Sequence, residues 1–142
     1  MIIRDLHSRD FEDALRLYRI LTSDPVPVTD SPAAFDAVLS HKGTQIIGAE
    51  HNSQIIAMIT LHVLPNMTSG GRSYALIENV VCDSEHRGQG IGRVVLQAGI
   101  NRARDLGCYK IMLMTGEARG VRGFYESVGF SGHEKHGMVL RF

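Results

Sequence analysis

The chain has 142 residues, 44% hydrophobic and 21% charged, which suits one globular domain with its own core and excludes a disordered chain. Fifteen basic residues balance fifteen acidic ones, so no net field draws it to nucleic acid or an anionic membrane surface. No apolar run approaches bilayer-spanning length, MIIRDLHSRDFEDA lacks the apolar core of a signal peptide, and two separated cysteines form neither a disulfide framework nor a metal knuckle. A reducing, cytoplasmic location is the expectation.

MIIRDL (Met1–Leu6) reads as a short strand. Phe11, Ala14, Leu15, Tyr18 and Leu21 then recur at helical spacing, and Asp24-Pro25-Val26-Pro27 breaks that helix. Ser31-Pro32 has the chemistry of a cap followed by a first-turn proline, and opens a second helix with Phe35, Val38 and Leu39 on one side, ended by Gly43. TQIIGAE and QIIAMITLHVL form a hairpin through His51-Asn52-Ser53. After a polar loop, Asn66 to Gly71, a third long strand runs from Arg72 to Cys82. A helix follows from Ile91, with Arg93, Gln97, Asn101, Arg104 and Asp105 on one side and most of the remaining circumference apolar. That wide face lies against a sheet, and Arg102, the misfit, must snorkel or find a partner. YKIMLMT (Tyr109–Thr115) is a strand, Val121 to Val128 a helix closed by Gly129, and Met138-Val139-Leu140 a last short strand. The order βααβββαβαβ predicts a single α/β or α+β domain over residues 1–142, a sheet covered by helices.

HRGQGIGR, His86 to Arg93, carries three glycines between a strand and a helix. Glycine there allows a sharp turn and close approach to the backbone, and a helix start offers unpaired N–H groups with partial positive charge. The loop is therefore built to hold an anion, with phosphate the best fit. A plain turn needs one glycine, not three. A nucleotide-triphosphate loop is matched poorly, because Gly92 is followed by Arg93-Val94 instead of lysine and a hydroxyl residue. A dinucleotide fingerprint is also matched poorly, because the third glycine comes one residue early and Cys108 stands where an acidic residue is wanted.

The remaining pattern is R-x-x-G-x-G, met by Arg87, Gly90 and Gly92. Together with the preceding IENVV, the amphipathic helix, YKIMLMT and GFYESVGF, it resembles the GNAT N-acetyltransferase superfamily, and in motif glucosamine-6-phosphate N-acetyltransferases in particular. The resemblance implies a mixed, mainly antiparallel sheet flanked by helices, acetyl-CoA as cosubstrate, a small-molecule amine as acceptor and a homodimer, with no metal, nucleic acid or membrane partner. It assigns the coenzyme A pyrophosphate to the backbone of Gly88, Gln89, Gly90, Ile91 and Gly92, with charge from Arg87, and backbone pairing with the pantetheine arm to Val80, Val81 and Cys82. A donor near Val80 or Val81 would polarise the thioester oxygen. Asn79 stands where the pattern has aspartate after the glutamate, and Arg119 where it has asparagine. A module that binds coenzyme A as a sensor, without turnover, is the alternative.

Acetyl transfer needs a neutral amine, and deprotonating a lysine-like amine at pH 7 costs roughly 4–5 kcal/mol, so a general base helps. Glu78 is the candidate. Strand alternation puts it in a row with Leu76 and Val80, an apolar setting that raises a carboxylate's pKa. His62 is second choice, acting with a water chain. Tyr125 of GFYESVGF matches the tyrosine that protonates the departing thiolate, while Phe124 packs. The histidines lack metal-ligand spacing; His133 and His136 are candidates for an acceptor pocket.

Overall fold

Long apolar strands set the frame. In the computed structural model of the chain, which describes residues 1–22 and 26–142, β1 (Ile2–Asp5), β2 (Thr44–His51), β3 (Gln54–Leu64), β4 (Tyr74–Cys82) and β5 (Ile111–Met112) form one sheet in sequence order. All neighbours are antiparallel except β4 and β5, which run parallel. This is the mixed, mainly antiparallel sheet expected. The β2–β3 hairpin turns on Asn52 and Ser53, both at positive φ (49° and 62°), the geometry whose twist matches the flanking strands.

Helices α1 (Phe11–Leu21), α2 (Pro32–Ser40) and α3 (Ile91–Asp105) pack on the sheet. The two compact units of the chain are Met1–Met112, which holds all five strands and these helices, and Leu113–Phe142, which holds α4 (Arg122–Glu126). The Ser31 hydroxyl caps α2 by accepting from the Ala34 N–H at 3.3 Å, as the Ser-Pro pair predicts. Leu6, Ile46, Ile55, Met58 and Val81 form a core with Ala14 and Leu17 of α1 and Phe35 of α2. On α3, Ile91, Val95, Leu96, Gly99 and Ala103 are buried. Gly99 is there for closeness: a Cβ on it would collide with the Cδ1 of Ile59. Arg102 finds its partners in Asp5, at 3.3 Å, and Gln45, at 2.6 Å.

Several expectations change. The break at Asp24-Pro25 lies outside the described residues. The strand expected over Tyr109–Thr115 is ordered into a ladder only at Ile111–Met112, which pair with Ala75 and Leu76. The helix expected from Val121 to Val128 spans Arg122–Glu126, and a turn through Gly129 (φ 101°) follows. The last strand does not form: residues 130–142 contain neither helix nor strand, and Met138 and Leu140 are 92% and 80% exposed. Three apolar residues give too few ladder bonds to offset the entropy of ordering them.

The edge strand β1 is tied down by charge. Arg4 donates to both carboxylate oxygens of Asp10, at 2.7 and 2.8 Å, and Asp10 also accepts from the His7 N–H at 2.8 Å. The Arg4 guanidinium holds the Asp10 carboxyl below its usual range, against the opposing effect of burial. Asp10→Ala should lower stability by about 1.5–3 kcal/mol, the worth of hydrogen bonds to charged groups, measured by urea unfolding. Because the folded pKa is depressed, this contribution is full above the unfolded value of about 3.9. It is lost as pH falls through the lower folded value, so the wild-type and Ala curves should converge in acid. A constant gap down to the acid limit would contradict the pairing.

Candidate active site

The site begins with an irregularity in β4. Thr60 pairs with Glu78 and Met58 with Val81, so β4 spends one more residue than β3 between these pairs. This is a β-bulge at Asn79-Val80. Asn79 sits at φ 53°, a left-handed conformation that asparagine tolerates better than most residues. The extra residue reverses the alternation. Leu76 and Glu78 share a face with His62 and Thr60, their cross-strand partners, and Val81 shares it with Met58. Val80 therefore does not lie in the row with Glu78, as simple alternation expects; Val81 takes that place and joins the core under α1 and α2.

The same strand has an open edge. β5 pairs with β4 no further than Leu76, so beyond it β4 is paired on one side only among the described residues. The Asp83 N–H donates to the Ile56 carbonyl at 2.8 Å, so alternation turns the backbone of Val81 towards β3 and that of Val80 and Cys82 towards the open side. Consistent with this, Arg87 Nε reaches the Cys82 carbonyl at 3.2 Å. Burial pushes the Cys82 thiol up, with Arg87 opposing, so the thiol stays protonated.

Past Cys82 a short 3₁₀ turn, Ser84–His86, leads to the glycine loop. Arg16 of α1 ion-pairs with Asp83 and anchors the start of this turn. Gly88 and Gly90 have φ of 75° and 80°, and a Cβ on either would meet nothing within 4 Å. Here glycine serves backbone conformation and leaves open space above the loop. Gly90 caps α3, and no side chain supplies the capping bond. The first helical bond runs from Val94 N–H to the Gly90 carbonyl, so the donors of Ile91 and Gly92 precede the helix's own ladder. Arg87, Gln89 and Arg93 are exposed around it. Such an arrangement can hold an anion, and it lies at the end of the strand with the open edge.

On the Glu78 face, a cavity of about 340 Å³ lies under α1 and α2. Phe11, Leu15, Tyr18 and Phe35 line its helix side, and Thr60, His62 and Asn79 its sheet side. Asn79 Nδ2 donates to the Thr60 hydroxyl at 3.3 Å. Burial pushes the Tyr18 phenol up, and a hydrogen bond with Thr60 pulls it back. His62 Nδ1 bonds the Thr44 hydroxyl at 2.8 Å, and that hydroxyl bonds His41 Nδ1 at 2.9 Å. Sequence reading singles out Glu78 and His62 and misses Thr60, Thr44 and the cavity role of Tyr18. In the unit Leu113–Phe142, the Tyr125 ring is half-buried, edge-on to Phe124 at 5.1 Å and to Phe130 at 6.3 Å. His133 there lies 2.8 Å from Arg122, and His136 is exposed.

An open strand edge leads here to a glycine loop at a helix start, and comparison with known proteins places the whole chain in a family. The acetyltransferase (GNAT) family model matches residues 3–130. The chain belongs to that family. Glucosamine 6-phosphate N-acetyltransferase of Trypanosoma brucei brucei is 31% identical over 136 residues, covering 94% of this chain and 90% of that protein. A solved chain from Agrobacterium tumefaciens str. C58 superposes with a TM-score of 0.93 at 39% identity, over 100% of both chains. Glucosamine-6-phosphate N-acetyltransferase of Arabidopsis thaliana superposes with a TM-score of 0.85 at 26% identity, over 99% of this chain and 97% of that one. The protein is thus a GNAT N-acetyltransferase, from a family that uses acetyl-CoA as cosubstrate.

In this GNAT chain Asn79 serves the backbone first. Asn79→Gly should leave the melting temperature nearly unchanged. Asn79→Val, forced into the left-handed region, should cost about 1–2 kcal/mol and lower it. Equal melting temperatures for the two variants would rule out a conformational role.

Proposed function

We propose that the protein transfers the acetyl group of acetyl-CoA directly to the primary amine of a small molecule, with glucosamine 6-phosphate the first acceptor to test. The observation that carries the reading is the β4 edge left open beyond Leu76, with a glycine cradle at the following helix start. An extended pantetheine arm can add to such an edge as a strand does. Val80 and Cys82 offer their backbone groups, and Val81 holds the strand against the core. The loop Arg87–Gly92 takes the pyrophosphate on backbone donors, Gly88 to Gly92, with the Arg87 charge beside them. The choice of acceptor rests on the named activity of the relatives from Trypanosoma brucei brucei and Arabidopsis thaliana.

In the reaction Glu78 takes the proton of the acceptor ammonium, and the neutral nitrogen attacks the thioester carbonyl. The tetrahedral oxyanion collapses, the C–S bond breaks, and the thiolate leaves with its electron pair. Tyr125 donates its phenolic proton to sulfur and is restored by the second proton that the nitrogen sheds as the amide forms, a role supported by its place in the F-Y-x-x-x-G-F motif. A cytoplasmic site of action suits the two free thiols, Cys82 and Cys108. We read the working form as a homodimer, in keeping with the exposed apolar residues Met138, Val139 and Leu140, which a second copy can cover.

Thiol release from acetyl-CoA with a panel of primary amines, glucosamine 6-phosphate first, tests the reading; coenzyme binding without acetylation of any amine would leave only a sensor. Gly90→Val should abolish acetyl-CoA binding in calorimetry while the far-ultraviolet circular dichroism is kept. Unchanged affinity would remove the loop from the cosubstrate site. Glu78→Gln should lower kcat most at low pH, where free amine is scarcest. Tyr125→Phe should lower kcat by about 10²–10⁴, the usual range for a positioned acid, and both variants should keep wild-type affinity for acetyl-CoA. A Tyr125→Phe variant with full turnover would assign thiolate protonation to water.

A further inference from the structure

A base that accepts a proton at every turnover must lose it before the next. Glu78 is half-buried on the face under α1 and α2, so its route back to solvent is a real mechanistic question. His62 stands on the same face of the adjacent strand, because its partner Leu76 is two residues from Glu78. Such diagonal neighbours lie roughly 7–8 Å apart, within reach of one bridging water. His62 lines the cavity. Its Nδ1 is engaged with Thr44, which leaves Nε2 as the ring nitrogen for the cavity.

Thr44 is 7% exposed, and its single hydroxyl lies between two imidazole nitrogens, His62 Nδ1 at 2.8 Å and His41 Nδ1 at 2.9 Å. A hydroxyl has one proton and two lone pairs. With one proton it can donate to only one of the two rings, while a lone pair can accept from the other, and that arrangement gives the two contacts a direction. His41, at the C-terminal cap of α2, is exposed. The chain of bonds therefore begins at the cavity, crosses a buried hydroxyl and ends at the surface.

We propose that His62, Thr44 and His41 form a relay that carries the acceptor's proton from Glu78 to solvent; this rests on the acetyl-transfer reading above. Glu78, protonated by the amine, delivers its proton to His62 Nε2, directly or through the bridging water. His62 Nδ1 gives its own proton to the Thr44 oxygen, and the Thr44 hydroxyl proton passes to His41 Nδ1. His41 Nε2 then releases a proton to bulk water. One proton enters, one leaves, and rotation of the hydroxyl with return of each ring to its first tautomer resets the chain. Thr44 and His41 are positioning residues that act through His62.

The test uses the full chain with acetyl-CoA and glucosamine 6-phosphate, phenylethylamine and spermidine as acceptors. Thr44→Val keeps the shape but removes the hydroxyl, and should lower kcat roughly 10-fold, the low side of acid–base contributions, with both KM values unchanged. Thr44→Ser should restore most of that loss. His41→Ala, at an exposed position, should show a similar loss that added imidazole repairs, and this arm stands even if Thr44→Val does not fold. Wild-type turnover with equal kcat in Thr44→Val and His41→Ala overturns the relay alone, as does a His41→Ala loss that imidazole leaves untouched. A wild-type protein that acetylates none of the three amines overturns the acetyl-transfer reading, and the relay with it.

Discussion

The bulge in β4 is the constraint on which the rest of the site depends. One extra residue, Asn79, turns the strand over halfway along its length. Ahead of it, Ile77 faces α3; beyond it, Val81 faces α1 and α2. A single strand thus contributes to the cores on both faces of the sheet. Bulges also bend and twist the strand that carries them, and β5 keeps its pairing only up to Leu76. The packing of Val81 and the lead into the glycine loop follow from this local deviation. Regular pairing would place Val80 where Val81 packs.

Much of this was legible from residue chemistry. Glycines at 88 and 90 announce themselves because left-handed backbone at a helix start admits few other residues, and the pairing of that loop with an amphipathic helix is a long-range pattern. Ser31-Pro32 is equally direct, since a cap is set by its own side chain; the hairpin expected at His51-Asn52-Ser53 turns on Asn52 and Ser53 alone, with His51 still in β2. The bulge was not legible. Asparagine inside an apolar strand reads as a polar residue on one face, and nothing in the alternation reveals that the count has slipped by one. For the same reason alternation groups Glu78 correctly with Leu76 and wrongly with Val80.

Hydroxyls are silent in sequence for another reason. Thr44 and Thr60 have no period of their own and count as ordinary β-branched strand residues. Only the packing shows that one links two histidines and the other meets Tyr18 and Asn79. Met138-Val139-Leu140 shows the opposite failure. An apolar run advertises a strand, yet a strand is half of a pair, and the run carries no information about its partner.

The ladder between β4 and β5 is only two residues long. Opening free energies vary across a structure, and elements held by few buried bonds open far below the global cost. The four antiparallel strands form a cooperative block, while β5 is hinged to it at Ala75 and Leu76. The β5 pair can therefore part from Ala75 and Leu76 and re-form without any cost to the block.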